Sequence, residues 1–159
     1  MKNYKIFIII ALAVPGFFIA RAQYTRKPLE RKKIIHKGTT YLADGVTGSG
    51  TISKKRFDSL IALPVISRDS SGVERPVIEF VFSYAERALY EDSTGRPVVM
   101  TDYFSTTCPG GKLSDDWVKV IRDKSKKGDT AYIDEVTAVY PDTLHTRFYT
   151  TPVKLVITE

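Results

Sequence analysis

"SDDWVKVIRDKSKKGDTAYIDEVTAVYPD", residues 114–142, decides the fold, because it contains a helix and a strand with their boundaries written in the residues. Ser114 offers a side-chain oxygen to the free N–H groups that begin a helix. Asp115 and Asp116 sit in the first turn, and Lys124, Lys126 and Lys127 in the last, so both ends complement the helix dipole. Trp117, Val120 and Ile121 have the i, i+3, i+4 spacing of one apolar stripe, and Gly128 suits a left-handed stop. The spacing predicts an amphipathic helix over about residues 115–127. In the next segment Ala131 and Ile133 share one face of a strand, but Val136 and Ala138 share the other. One extra residue at Asp134-Glu135 resets the parity, so a β-bulge is expected there. Pro141-Asp142 then turns the chain.

Working outward, "PVIEFVFSYA" (76–85) alternates strictly, with Ile78, Phe80, Phe82 and Tyr84 on one face and Val77, Glu79, Val81 and Ser83 on the other. "RALYED", "STG" and "RPVVMTDYF" read as a hairpin turning at Gly95, and "TTCPGG" (106–111) as a loop. Val153, Leu155 and Ile157 alternate with Lys154, Val156 and Thr158 in a terminal strand. Upstream, Ser53 caps a short helix in "KKRFDSLIAL", "DSSG" (69–72) is a turn, and "KIIHKGTTYL" (33–42) offers a short strand. Short strands, frequent turns and one or two short helices indicate a mainly β fold, a single β-sandwich being favoured over a small mixed sheet.

The N-terminus reads as a secretory signal peptide, residues 1–22. Lys2 and Lys5 precede fifteen uncharged residues, "IFIIIALAVPGFFIA", and Ala20 and Ala22 form the small-residue cleavage pattern. That run is shorter than the ~20 residues of a membrane-spanning helix and is interrupted at Pro15-Gly16, which favours the signal peptide over the alternative of an uncleaved anchor. Cleavage after Ala22 is expected, giving a periplasmic or secreted protein with no membrane span. An extended arm (23–44) and one domain (45–159) follow. The single cysteine, Cys108, rules out an intramolecular disulfide.

The net charge of +6 is unevenly placed. Without Lys2, Lys5 and Arg21, 21 basic residues face 18 acidic ones, a balance of +3. Six bases against one acid give residues 26–37 ("RKPLERKKIIHK") +5, leaving the rest at −2. A nucleic-acid binder carries its basic face on the folded domain, so nucleic acid is not an expected partner. This charge run reads either as a solvated tether or as a docking segment, in which Arg26, Lys27, Arg31, Lys32 and Lys33 are the candidate partner-binding residues, suited to an acidic protein or an anionic envelope surface.

The ordered combination "GSGTISKKRFDSLIAL", "VIEFVFSY", "LSDDWVKVIRDKSKKGDTAYIDEVTAVYPD" and "PVKLVI" resembles the C-terminal domain of the gliding-motility protein GldM, over about residues 45–159. Thr143 departs from the glycine usual at that family's turn. The resemblance implies an immunoglobulin-like β-sandwich that acts through contacts with envelope proteins, type IX secretion and gliding components among them. It implies no contact residue by motif.

Catalytic chemistry is sparse. Cys108 with His36 or His145 is the only thiol–imidazole combination, and Cys108 reads as a loop thiol. No C-x-x-C, H-x-x-H or EF-hand spacing occurs, and "GSG" (48–50) lacks the Lys-Ser/Thr of a phosphate loop. Asp115 and Asp116 are explained by helix capping, and Trp117 by the helix stripe. No enzyme activity, cofactor or metal is expected. The function expected is an exported interaction module. The alternative is a small-ligand or glycan-binding β protein, with Tyr90, Tyr103 and Phe104 as stacking faces.

Overall fold

The computed structural model describes residues 37–159. The fold is mainly β, with two sheets and two short helices: β1 (Gly38–Tyr41), β2 (Gly50–Ser53), α1 (Lys54–Leu60), β3 (Ile66–Asp69), β4 (Glu74–Arg75), β5 (Val77–Glu91), β6 (Pro97–Pro109), α2 (Asp115–Lys124), β7 (Thr130–Val139), β8 (Arg147–Tyr149) and β9 (Val153–Thr158). The larger sheet has the order β2-β9-β7-β5-β6, with β8 pairing β7, and the smaller one the order β1-β3-β4. β2 runs parallel to β9, and the other neighbours are antiparallel.

The alternation in the sequence selects which face is buried. Phe80, Phe82 and Tyr84 of β5 line the core with Ala131 and Ile133 of β7 and Val153, Leu155 and Ile157 of β9. Phe57 and Ile61 from around α1, and Val118 and Ile121 from α2, complete it. At about 1.5–3 kcal/mol for each large apolar side chain, this shared core is the main stabilising term. The smaller sheet adjoins it through Leu42 and Val65. Of the strand expected in residues 33–42, Gly38–Tyr41 form β1, which pairs β3, and Gly38 lies so close to that strand that a Cβ would stand 2.3 Å from the Arg68 carbonyl oxygen.

Both helices begin where the sequence indicates. Ser53 Oγ accepts from Arg56 N–H, and Ser114 Oγ from Trp117 N–H, each at 3.4 Å. The end of α2 differs from the expectation. It stops at Lys124, because Ser125 takes an extended ψ of 132° and gives its N–H to the Ile121 carbonyl. Lys126 and Lys127 lie in the turn beyond, where the Lys126 N–H is taken by the Asp129 carboxylate at 3.1 Å. The apolar stripe is also rotated: Val118 and Ile121 are buried while Val120 is half exposed. Arg122 donates to the Asp58 carbonyl at 2.8 and 2.6 Å, which ties α2 to α1.

The bulge falls at Asp134-Glu135. Val81 pairs Asp134 and Glu79 pairs Thr137, so β7 spends three residues where β5 spends two. Glu135 holds the left-handed φ of 51°, which costs an L-residue roughly 1–2 kcal/mol and glycine nothing comparable. Val136 thereby returns to the core. Glu135→Gly is expected to raise the thermal midpoint, stabilising the fold by up to about 1 kcal/mol after the added unfolded-state entropy, whereas Glu135→Val lowers it. A midpoint lowered equally by both would contradict the bulge geometry.

Candidate interaction surface

β5 and β6 form a hairpin longer than the sheet that holds it. They pair without interruption from Glu79↔Pro109 to Glu91↔Pro97, but β7 accompanies β5 only as far as Ala85↔Thr130. Beyond Ala85 and its partner Tyr103 the hairpin continues as a two-stranded ribbon, closed at Gly95 with φ 78°. The expected hairpin is therefore real, but "PVIEFVFSYA" and "RALYED" form one continuous strand.

Asp129 marks the point where the sheet ends. It is fully buried, and its carboxylate accepts from the Tyr84 hydroxyl at 2.5 Å, the Arg87 N–H at 2.8 Å and the Lys126 N–H at 3.1 Å. Where β7 leaves β5, this side chain takes the next β5 donor. Burial, then the hydrogen bond to Asp129, pushes the Tyr84 phenol far above its usual pKa, so it acts as a fixed donor.

Among the described residues β6 pairs only with β5, and its free edge has a definite hydrogen-bonding parity. The ladder with β5 is bracketed by Asp92 N–H to Arg96 O (2.9 Å) and Gly110 N–H to Ile78 O (2.6 Å). Antiparallel pairs alternate between bonded and non-bonded, so even-numbered β6 residues pair with β5. Val99, Thr101, Tyr103, Ser105 and Thr107 therefore direct N–H and C=O away from the sheet. Natural edges are blunted by bulges, lysines or internal prolines. β6 has its prolines only at its ends, one internal charge (Asp102) and an unbroken register.

The ribbon is apolar on both faces. Leu89 (70 % exposed) and Val99 (55 %) lie on one face, and Tyr90, Val98 and Met100 (52 %) on the other, which α2 covers nearer the core. Next to it, Phe104, Asp116, Trp117, Val120, Ile121 and Lys124 line a groove of about 250 Å³. Trp117 meets Phe82 edge-on with ring centres 6.3 Å apart, and Lys124 Nζ stands 4.6 Å above the Phe104 ring. Trp117 thus both packs on the core through Phe82 and lines the groove.

The sequence-derived candidates fare differently. Arg26, Lys27, Arg31, Lys32 and Lys33, with His36 and the signal segment, lie outside the described residues. Tyr90, Tyr103 and Phe104 do not form one platform. Tyr103 projects from the opposite face to the other two, Tyr90 donates to Asp102 at 2.6 Å, and Phe104 lies beneath Lys124. Cys108 is not a loop thiol: it is a buried β6 residue opposite Phe80, because β6 runs on to Pro109, and burial pushes its pKa up. His145 is exposed in a left-handed turn. Burial, then the neighbouring Glu135 charge, raises the Asp134 carboxyl. Among the described residues no three His, Cys, Asp or Glu side chains are grouped to hold a metal ion, and no helix is long and apolar enough to cross a membrane.

Asp129 and the β6 edge were both missed by the residue-by-residue reading. Asp129 follows the conspicuous Gly128, and the unpaired edge follows from strand order, which no local pattern contains. No protein-family model matches the chain, and none of the curated proteins is significantly similar to it.

Asp129→Ala is expected to cost about 3 kcal/mol in denaturant unfolding, since it leaves a hydroxyl and two N–H groups without their acceptor. Tyr84→Phe is expected to cost about 1 kcal/mol. The double variant should fall short of the sum, because the two share one bond. Strict additivity would contradict the shared Tyr84–Asp129 hydrogen bond.

Proposed function

We propose that this chain is a non-enzymatic, exported interaction module of the kind its sequence resembles, the C-terminal domain of GldM, with an immunoglobulin-like sandwich architecture and envelope proteins as partners. The observation that supports this reading best is the β5–β6 ribbon. It carries exposed apolar side chains on both faces beside an unpaired strand edge, and such surface is kept where another protein covers it. The basic arm adds a second, electrostatic contact that weakens with salt. In this reading the signal peptide delivers the domain to the periplasm, and secretion or gliding components are the partners to look for.

The test is cross-linking in the native envelope, followed by capture of the tagged protein and mass spectrometry, with Leu89→Glu in parallel. Recovery of secretion or gliding components by the natural sequence, reduced at least several-fold by Leu89→Glu, is the expected result. Recovery of none of these components, with stabilisation of the purified protein by soluble glycans, would replace the module with the ligand-binding reading.

A further inference from the structure

We propose that the free edge of β6 is occupied by a second copy of this chain, paired antiparallel about a two-fold axis through Tyr103. This rests on the reading of the ribbon as an interaction surface and names what covers its edge.

The geometry of β6 is symmetric about that residue. Tyr103 is the middle of the thirteen-residue strand, with Pro97–Asp102 before it and Phe104–Pro109 after it. It is also where the support of β7 ends, since Tyr103 pairs Ala85 and Ala85 is the last β5 residue paired to β7. The free half and the sheet-backed half are therefore of equal length. A two-stranded ribbon is marginal in water by itself. The two-fold axis lays the free half of each copy along the sheet-backed half of the other and gives each ribbon a third strand.

The parity agrees with this register. Tyr103 meets Tyr103 of the second copy, Thr101 meets Ser105, and Val99 meets Thr107, all of them residues with outward N–H and C=O. An axis perpendicular to the sheet keeps both α2 helices on the same face. On that face Asp102 lies opposite Phe104 of the second copy, above whose ring Lys124 Nζ stands at 4.6 Å. An acid thus approaches a base, twice by symmetry. Met100 is then the diagonal neighbour of Phe104 and covers the groove lined by Phe104, Trp117 and Val120. The adjacent registers are poorer. Centring on Asp102 sets carboxylate against carboxylate. Centring on Phe104 brings Val99 to Pro109, which has no N–H to give.

The experiment is sedimentation equilibrium of the purified protein over a range of concentrations, with variants that separate pairing from folding. A reversible monomer–dimer equilibrium is expected. Thr101→Pro removes an outward N–H at an edge position that tolerates proline, so it should give a monomer whose circular dichroism stays close to the original and whose thermal midpoint matches that of the dilute natural sequence. Asp102→Lys should weaken the dimer by about tenfold at low salt, and Asp102→Lys with Lys124→Asp should restore it. The register is read by cysteine substitution, since a hydrogen-bonded antiparallel pair has Cα atoms about 5.5 Å apart, within disulfide reach. Tyr103→Cys should form a disulfide-linked dimer on mild oxidation. Thr101→Cys and Ser105→Cys should do so only when mixed. A monomer at every concentration, a dimer indifferent to Thr101→Pro, or self-linking of Thr101→Cys would overturn the proposal. Since the readout uses purified protein alone, a monomer here together with specific envelope capture would sink the second copy and leave the interaction module standing.

Discussion

The Asp129 carboxylate is the constraint on which the rest of the structure depends. It joins three elements at one buried point: β5 through Tyr84 and Arg87, the turn after α2 through Lys126, and β7, which begins one residue later. Its own carbonyl accepts the Ile157 N–H at 2.9 Å, which draws β9 into the same knot. A buried polar side chain is tolerable only when it is hydrogen-bonded, and here three donors meet the two Asp129 oxygens. The helix must therefore stop at Lys124, because continuing it would carry Lys126 away from the carboxylate that holds it.

The same contact sets the length of the sheet. Having taken the Arg87 N–H, Asp129 ends the β5–β7 ladder, and everything from Glu86 to Asp102 projects as ribbon. The sheet is thus wide at the core and reduced to two strands beyond it. The apolar residues of the ribbon, Leu89, Val98, Val99 and Met100, are those that a buried strand would carry, yet all four are exposed and no core of the described residues takes them in. The bulge at Glu135 acts at the other end of β7. It resets the parity so that Val136 faces the core, and Ala138 beyond it is buried opposite Phe148 of β8.

Much of this was legible in the sequence wherever one face meets water and the other meets the core. Alternation located β5 and β9, the Ser53 and Ser114 caps located both helix starts, and the parity fault located the bulge. Reading failed where the cause is tertiary. The parallel pairing of β2 with β9 and the smaller sheet need distant partners, so Gly50–Ser53 and Glu74–Arg75 carry no strand signal of their own. "TTCPGG" resembles a loop, but pairing to Phe80 and Phe82 draws Thr106–Pro109 into β6. Of the candidate surface, the hairpin and its aromatics were visible. The unpaired edge was not, because the sequence does not say which strand lies last.

The central claim is that odd-numbered residues of β6 form an open hydrogen-bonding edge that a second copy closes, and residue-resolved amide hydrogen exchange measured at low and high protein concentration tests it most directly. The account predicts that Phe104 and Thr106 are protected at both concentrations. Thr101, Tyr103 and Ser105 should exchange freely when dilute and become protected when concentrated. Protection of Thr101, Tyr103 and Ser105 that is independent of concentration, or free exchange at both concentrations, would contradict it.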